Sequence, residues 1–201
     1  MADRLGPYRA KRDASETAEP GLRDAAGRPR RRRSAAPRFV IQKHAASRLH
    51  YDFRLEVDGA LRSWAVPKGL STDPRVKRLA VEVEDHPLEY ADFEGTIGRG
   101  SYGAGAVIIW DAGTYRNLDD ARSVADALAA GHAKVWLEGE KLQGGWTLQR
   151  THAGKQPQWL VIKRRDEEAD ARRRPENTQP ESVKTGRTIE EVAAEDRRGE
   201  P

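Results

Sequence analysis

The sequence predicts a mainly β protein: a small closed β-barrel of about seven or eight strands with one short helix and disordered charged tails. Three observations carry that expectation. Between residues 38 and 165, short runs rich in β-branched and aromatic residues recur, separated by Gly-, Pro- and Asp-containing turns. One run, Leu49–Val57, alternates polar and apolar residues with the two-residue period of a strand. Large apolar pieces such as Trp136, Trp146 and Trp159 sit inside such runs and supply a core. Many short strands with one helix in so few residues suit a barrel or sandwich.

Residues 1–37 read as a flexible basic arm with a partly ordered segment at 5–20. Residues 38–43 (RFVIQK) begin the strands. Leu49–Val57 follows, and Asp58-Gly59 supplies a two-residue hairpin turn into Ala60–Val66, because that dipeptide tolerates positive φ. Residues 79–84 alternate again. Residues 105–110 (GAVIIW) form a continuous apolar run, expected as a strand buried on both faces, with Asp111-Ala-Gly113 turning into Thr114-Tyr115. A helix is predicted over 118–130, where Ala121, Val124 and Leu128 recur at helical spacing between Asp119-Asp120 and Gly131. Residues 134–137, 145–150 and 159–163 complete the strands. The domain is expected to span 38–165. Beyond it charge and proline return, and 166–201 is expected to be a disordered tail with at most one amphipathic turn at 189–194.

The net charge of +4 comes from the arm. Residues 1–38 carry eleven Lys/Arg against five Asp/Glu, whereas 39–163 carry sixteen of each. The block Arg28-Pro-Arg-Arg-Arg-Arg33 repels itself and reads as a polyanion-binding or solubilising segment. Cysteine is absent, which excludes disulfides and thiolate metal sites and leaves His and carboxylates as the strong ligands. No apolar run approaches the roughly 20 residues of a membrane span, and no signal-peptide stretch opens the chain. A soluble cytoplasmic protein is the expectation.

The densest chemistry lies in 44–56, HAASRLHYDFRLE. On a strand His50, Asp52, Arg54 and Glu56 share one face, opposite Leu49, Tyr51, Phe53, Leu55 and Val57. His50 and Asp52 can share a cation, Arg54 can fork onto a phosphate or carboxylate beside it, and His44 becomes a third ligand if the intervening loop folds back. A solvated outer strand face produces the same alternation. His50-Tyr-Asp52 is also the His-x-Asp of Fe(II) oxygenases, which would need His86, His132 or His152 as a distal ligand and Arg54 or Arg150 as a co-substrate clamp. His86 falls at a strand rim before Pro87; His132 and His152 fall in helix-end and turn contexts and read as ordinary residues. The glycine-rich run 98–105 lacks the Gly-Lys-Ser/Thr ending of a phosphate loop and reads as a connection. Glu56-Val-Asp-Gly59 has Glu where nucleotidyl ligases need their lysine, so ligase chemistry is not expected.

Taken in order, RFVIQKH (38–44), HYDFRLE (50–56), WAVPKG (64–69), DHPLEY (85–90), FEG (93–95) and YGAG (102–105) followed by Trp110-Asp111 resemble the 3′-phosphoesterase domain of bacterial DNA ligase D. Residues 5–13 and 17–20 look like its N-terminal segment, so the resemblance covers about 5–165. It displaces the oxygenase reading. It implies a manganese-dependent β-barrel enzyme, other divalent transition metals being possible, that removes 3′-terminal ribonucleosides and then 3′-phosphates from DNA or RNA-tipped DNA to leave a 3′-hydroxyl for end joining. Matching positions give His44, His50 and Asp52 as metal ligands, with Arg54, His86 and Tyr90 on the reacting phosphate. Lys68 and Arg78 match basic substrate-binding positions, and Arg12, Asp13 and Glu19 match N-terminal residues the activity depends on. The chain departs from the family pattern at Gly98 and Ser101, where Pro and Glu are usual. The resemblance further implies a monomer working near the nucleoid with separate ligase, polymerase and end-binding proteins. A catalytically weak DNA-end-binding adaptor is the alternative from another class.

Overall fold

The computed structural model describes residues 3–12, 19–21, 36–98 and 100–199. Asp13 and the Arg28–Arg33 block lie outside the described residues. Among the described residues nine strands form one antiparallel sheet: β1 (Arg38–Ala45), β2 (Leu49–Val57), β3 (Ala60–Val66), β4 (Lys77–His86), β5 (Gly95–Ile97), β6 (Gly105–Asn117), β7 (His132–Gly139), β8 (Gln143–His152) and β9 (Gln158–Lys163). Eight of them close into a barrel in the order β1-β2-β3-β4-β9-β8-β7-β6, because β6 pairs back onto β1; β5 is an extra strand on β6. Closure removes the exposed edges that an open sheet would carry.

The β2–β3 hairpin turns at Asp58 (φ 51°) and Gly59 (φ 81°), both left-handed as the Asp-Gly pair demands. Inside the barrel Tyr51, Phe53, Leu55 and Trp64 meet Trp110, Trp146 and Trp159, with Trp64 and Trp159 edge to face at 5.8 Å. Trp136 differs from expectation. Ala133, Val135 and Leu137 take the inward positions of β7, so Trp136 faces outward, half-buried beneath Arg116.

Among the described residues four short α-helices replace the single helix expected: α1 (Gly6–Ala10), α2 (Val124–Ala129), α3 (Pro175–Thr178) and α4 (Ile189–Gly199). α2 is shorter than predicted. Asn117 bonds the carbonyls of Asp119 and Arg122, which holds 118–122 in a turn, and Ser123 then caps the helix by accepting from the Asp126 N–H.

The C-terminal segment is a correction to the expected disordered tail. It crosses the barrel wall through Thr72 Oγ to the Asp170 carbonyl (2.7 Å), the Trp110 indole N–H to the Gln179 carbonyl (2.8 Å) and the Val183 N–H to the Ile109 carbonyl (2.9 Å). α4 then buries Ile189 and Val192 against Ala106 and Ile108. Glu190, Glu191 and Glu195 are exposed on the other side, so a polar composition coexists with a packed apolar side.

The expected turn at 111–113 is also absent, since β6 runs straight through it. Asp111 instead reaches to the β7–β8 turn, accepting from the N–H groups of Ala112, Glu140 and Lys141 (each 3.0 Å) and Leu142 (2.8 Å). Removing that carboxylate strands several buried donors at roughly 1–3 kcal/mol each. Asp111→Ala is therefore expected to lower Tm by about 10 °C or more, with Asp111→Asn intermediate. Thermal unfolding of the two variants checks this.

Candidate metal and phosphate site

The candidate site lies on the outer face of β1–β4, back to back with the barrel core. Register explains the assembly. His44 of β1 lies directly across from His50 of β2, Gln42 across from Asp52, and Arg54 across from Ser63 of β3. Directly paired residues share a face, so one strand row becomes a two-dimensional cluster. Leu61 pairs with His86 and carries the cluster on to β4.

His44 Nδ1 stands 3.5 Å from one Asp52 oxygen and His50 Nε2 3.6 Å from the other. One ligand atom from each of the three residues lies within 4.8 Å of the others. The outward nitrogens fix the tautomers. His44 Nε2–H donates to the Gly103 carbonyl (2.7 Å) and His50 Nδ1–H donates to the Arg48 carbonyl (2.9 Å). A carbonyl only accepts, so each imidazole can turn a bare nitrogen toward Asp52. Two oriented imidazoles and a carboxylate fit a first-row divalent cation. Burial would raise the Asp52 carboxyl, but Arg54 and the two imidazoles outweigh it and hold it well below its usual range. Burial likewise would lower His50, and Asp52 outweighs that and raises it. A proton is thus favoured where a cation would sit.

Gly103 (φ 79°) and Gly105 (φ 140°) explain the glycine-rich run as backbone geometry rather than a phosphate cradle. A Cβ on Gly105 would meet the Ala45 carbonyl at 2.0 Å, so the strand next to His44 tolerates no side chain there.

Arg54 is 2% exposed and clamped. Its Nε donates to Gln42 (2.8 Å), one terminal nitrogen to Ser63 Oγ (2.8 Å), and the other contacts Asp52 at 3.1 Å. These contacts occupy three of the five guanidinium N–H groups, leaving two for an anion. The Tyr90 ring packs 4.9 Å from the guanidinium. Gln42 also donates to the carbonyls of Tyr90 and Phe93, tying the arginine to the 3-10 turn Leu88–Asp92.

His86 and Tyr90 stack edge to face at 4.8 Å under a cover made by the N-terminal segment. Tyr90 donates to buried Glu19 (3.0 Å), and Glu19 pairs with Arg12 (2.9 Å). Arg12 also meets Glu84 (3.1 Å) and approaches His86 Nε2 at 3.4 Å. Burial drives the Tyr90 hydroxyl well above its ordinary range, so it is a neutral donor. Lys68 and Arg78 stand apart. Lys68 is exposed on the turn after β3, and Arg78 ion-pairs with Glu176 at 3.8 Å. Gln42, Ser63 and Glu84 are site residues that the sequence analysis missed. Only Ser63 carried a signal, its place opposite Arg54 across the predicted hairpin.

His86 Nδ1–H donates to the Glu84 carbonyl (2.8 Å), which leaves Nε2 as an acceptor facing Arg12. Burial first, then the charges of Arg54 and Arg12, push it well below the usual 6.5. Below pH 6.5 the unfolded chain takes a proton that folded His86 refuses, so stability falls with falling pH until the folded pKa is reached. In His86→Gln the slope of stability against pH between about 6.5 and 5 should be shallower by up to ~1.4 kcal/mol per pH unit. Urea titrations across that range check it; equal slopes in both proteins would mean that His86 is not held neutral.

The DNA Ligase D 3'-phosphoesterase domain profile matches residues 42–150, which contain His44, His50, Asp52, Arg54, His86 and Tyr90. "Multifunctional non-homologous end joining protein LigD" of Pseudomonas aeruginosa is 53% identical over 188 residues, covering 92% of this chain and 22% of that protein. The "Multifunctional non-homologous end joining DNA repair protein LigD" of Mycobacterium tuberculosis is 48% identical over 163 residues, 80% of this chain and 20% of that protein. The chain thus spans about a fifth of the length of the curated relatives it matches. With the barrel, the profile and these identities in agreement, the chain belongs to the DNA ligase D 3′-phosphoesterase domain family.

Proposed function

We propose that this domain heals DNA 3′ ends, removing 3′-terminal ribonucleosides by phosphodiester cleavage and 3′-phosphates by monoester hydrolysis to leave a 3′-hydroxyl. The observation that carries the reading is the pairing of a cation-ready His44–His50–Asp52 cluster with a clamped guanidinium at Arg54. In this reading the three residues hold Mn²⁺. When bound, the ion supplies Lewis-acid polarisation of a phosphoryl oxygen.

The chain's own residues do the rest. Arg54 presents its two remaining N–H groups to phosphoryl oxygens, where negative charge must be balanced as the transition state forms. Neutral His86 offers Nε2 as a proton acceptor once Arg12 gives way or re-aims. Tyr90 remains a protonated donor beside them. Arg12 and Glu19 are assigned to the cover over the reacting phosphate, Asp13 is assigned to substrate binding on the family resemblance alone, and Lys68 and Arg78 are assigned to the nucleic-acid backbone farther out. Among the described residues no helix is long and apolar enough to cross a membrane. We place the domain's work as a monomer at cellular DNA, beside ligase, polymerase and end-binding activities.

The test is a labelled primer-template ending in either a 3′-phosphate or a single 3′-ribonucleotide, incubated with and without Mn²⁺. Mn²⁺-dependent conversion of both to a 3′-hydroxyl end is expected. Tight binding with no conversion at any divalent metal would favour the adaptor reading instead.

A further inference from the structure

Tyr102 has no part in the chemistry above, yet its placement is unusual. Among the described residues, the large apolar side chains that stay exposed are Leu49, Leu79 and Tyr102, and Tyr102 is 52% exposed. It sits at the tip of the glycine-rich rim, one peptide before the Gly103 carbonyl that orients His44. Adjacent Cα atoms are about 3.8 Å apart, so the Tyr102 backbone stands at the border of the metal cluster.

Cations attend it. The Lys11 ammonium lies 4.6 Å from the ring centroid and the Arg12 guanidinium 5.7 Å. Glu84 holds both from behind, at 2.9 Å from Lys11 and 3.1 Å from Arg12, and Arg12 continues to His86. The ring thus borders a cleft of about 370 Å³ between α1, the end of β4 and the β8–β9 turn, where Lys155 adds a further exposed cation. That volume lies within the range of small-ligand sites. The acidic residues of the cleft are already matched: Glu84 by Lys11 and Arg12, and Glu82 by Arg62 at 2.5 Å.

We propose that Tyr102 is a stacking platform for the nucleobase of the 3′-terminal nucleotide, with Lys11 and Lys155 flanking its backbone. An exposed aromatic ring among cations, beside the Arg12 guanidinium that reaches on to His86, is the kind of arrangement by which proteins hold single-stranded nucleic acid without reading its sequence. Every base has a π face, so the platform accepts deoxyribonucleotide and ribonucleotide ends alike. The proposal rests on the phosphoesterase reading for its ligand, and it adds the subsite that seats the terminal base while Arg54 and the metal cluster address the phosphate.

The experiment is an equilibrium binding cycle in the presence of a chelator, so that turnover plays no part. The probes are two primer-templates with 3′-phosphate ends, one carrying 2-aminopurine at the frayed terminal position and one an abasic site there. Tyr102→Ala is expected to weaken binding of the base-bearing end by about 10-fold and the abasic end by less than twofold. Tyr102→Trp should restore binding and the quenching of 2-aminopurine fluorescence. Equal losses on the two ends, or wild-type binding that does not distinguish them, would overturn the proposal. Mn²⁺-dependent turnover of a 3′-phosphate end bearing an ordinary base by the wild-type chain is read separately, so failure of the phosphoesterase reading is not confused with failure of the stacking site.

Discussion

His50→Ala is expected to abolish nearly all of the proposed Mn²⁺-dependent turnover while leaving the barrel folded. His50 is half-buried near the start of β2, and its ring contacts are with His44, Asp52 and the Arg48 carbonyl rather than the core. Truncation there removes a ligand without opening a cavity among the tryptophans. Lewis-acid stabilisation of a phosphoryl transition state amounts to several kcal/mol, and each ~1.4 kcal/mol is tenfold in rate. A loss on the order of 10³-fold in kcat/KM is expected, with Tm within a few degrees of wild type. Steady-state kinetics over a wide Mn²⁺ range and a thermal melt check both halves. Turnover within tenfold of wild type would remove His50 from the site.

Arg54 gives the second large effect, and the choice of variant matters. Arg54→Ala leaves buried Asp52 and Gln42 without their partner, and breaking a buried ion pair costs about 3–5 kcal/mol. That variant confounds stability with catalysis. Arg54→Lys keeps the charge against Asp52 but cannot reach Gln42, Ser63 and a phosphate together, because an ammonium has no planar fork. The expected result is a kcat lower by about 10²- to 10³-fold, the usual cost of losing one preorganised donor at a developing charge. Mn²⁺ affinity should stay near wild type. Near-normal kcat in Arg54→Lys would show that point charge suffices and that the clamp from Gln42 and Ser63 serves the fold alone.

Much of this site was legible because it is local. Residues 44–56 bring two imidazoles, a carboxylate and a guanidinium onto one hairpin, and strand periodicity places them on one face. The Asp-Gly turn fixed the β2–β3 register that sets Ser63 against Arg54. The cover was not legible from local pattern. Arg12 meets Glu84 across 72 positions, and Glu19 meets Tyr90 across 71; nothing near either residue encodes that meeting.

Two misreadings have physical causes. Gly113 looked like a turn residue, but a Cβ there would meet the Glu138 carbonyl at 2.0 Å, so this glycine permits close strand approach within β6–β7. The C-terminal segment looked disordered by charge content, although Thr188 and Glu191 form a capping box: the Glu191 N–H donates to Thr188 Oγ (3.3 Å) and the Thr188 N–H to the Glu191 carboxylate (2.8 Å). That signal, with Ile189 and Val192 three residues apart, was in the sequence and was outweighed by composition.

The central claim is that His44, His50 and Asp52 form one cation site, and it is tested most directly by counting Mn²⁺. Chelator-stripped wild-type chain and Asp52→Asn are titrated with Mn²⁺, and free ion is read by its electron paramagnetic resonance signal. The account predicts one bound equivalent in the wild type and at least 10-fold weaker binding in the variant, since an amide replaces the charged ligand between the two imidazoles. One equivalent bound equally tightly by both proteins would place the metal elsewhere and contradict the account.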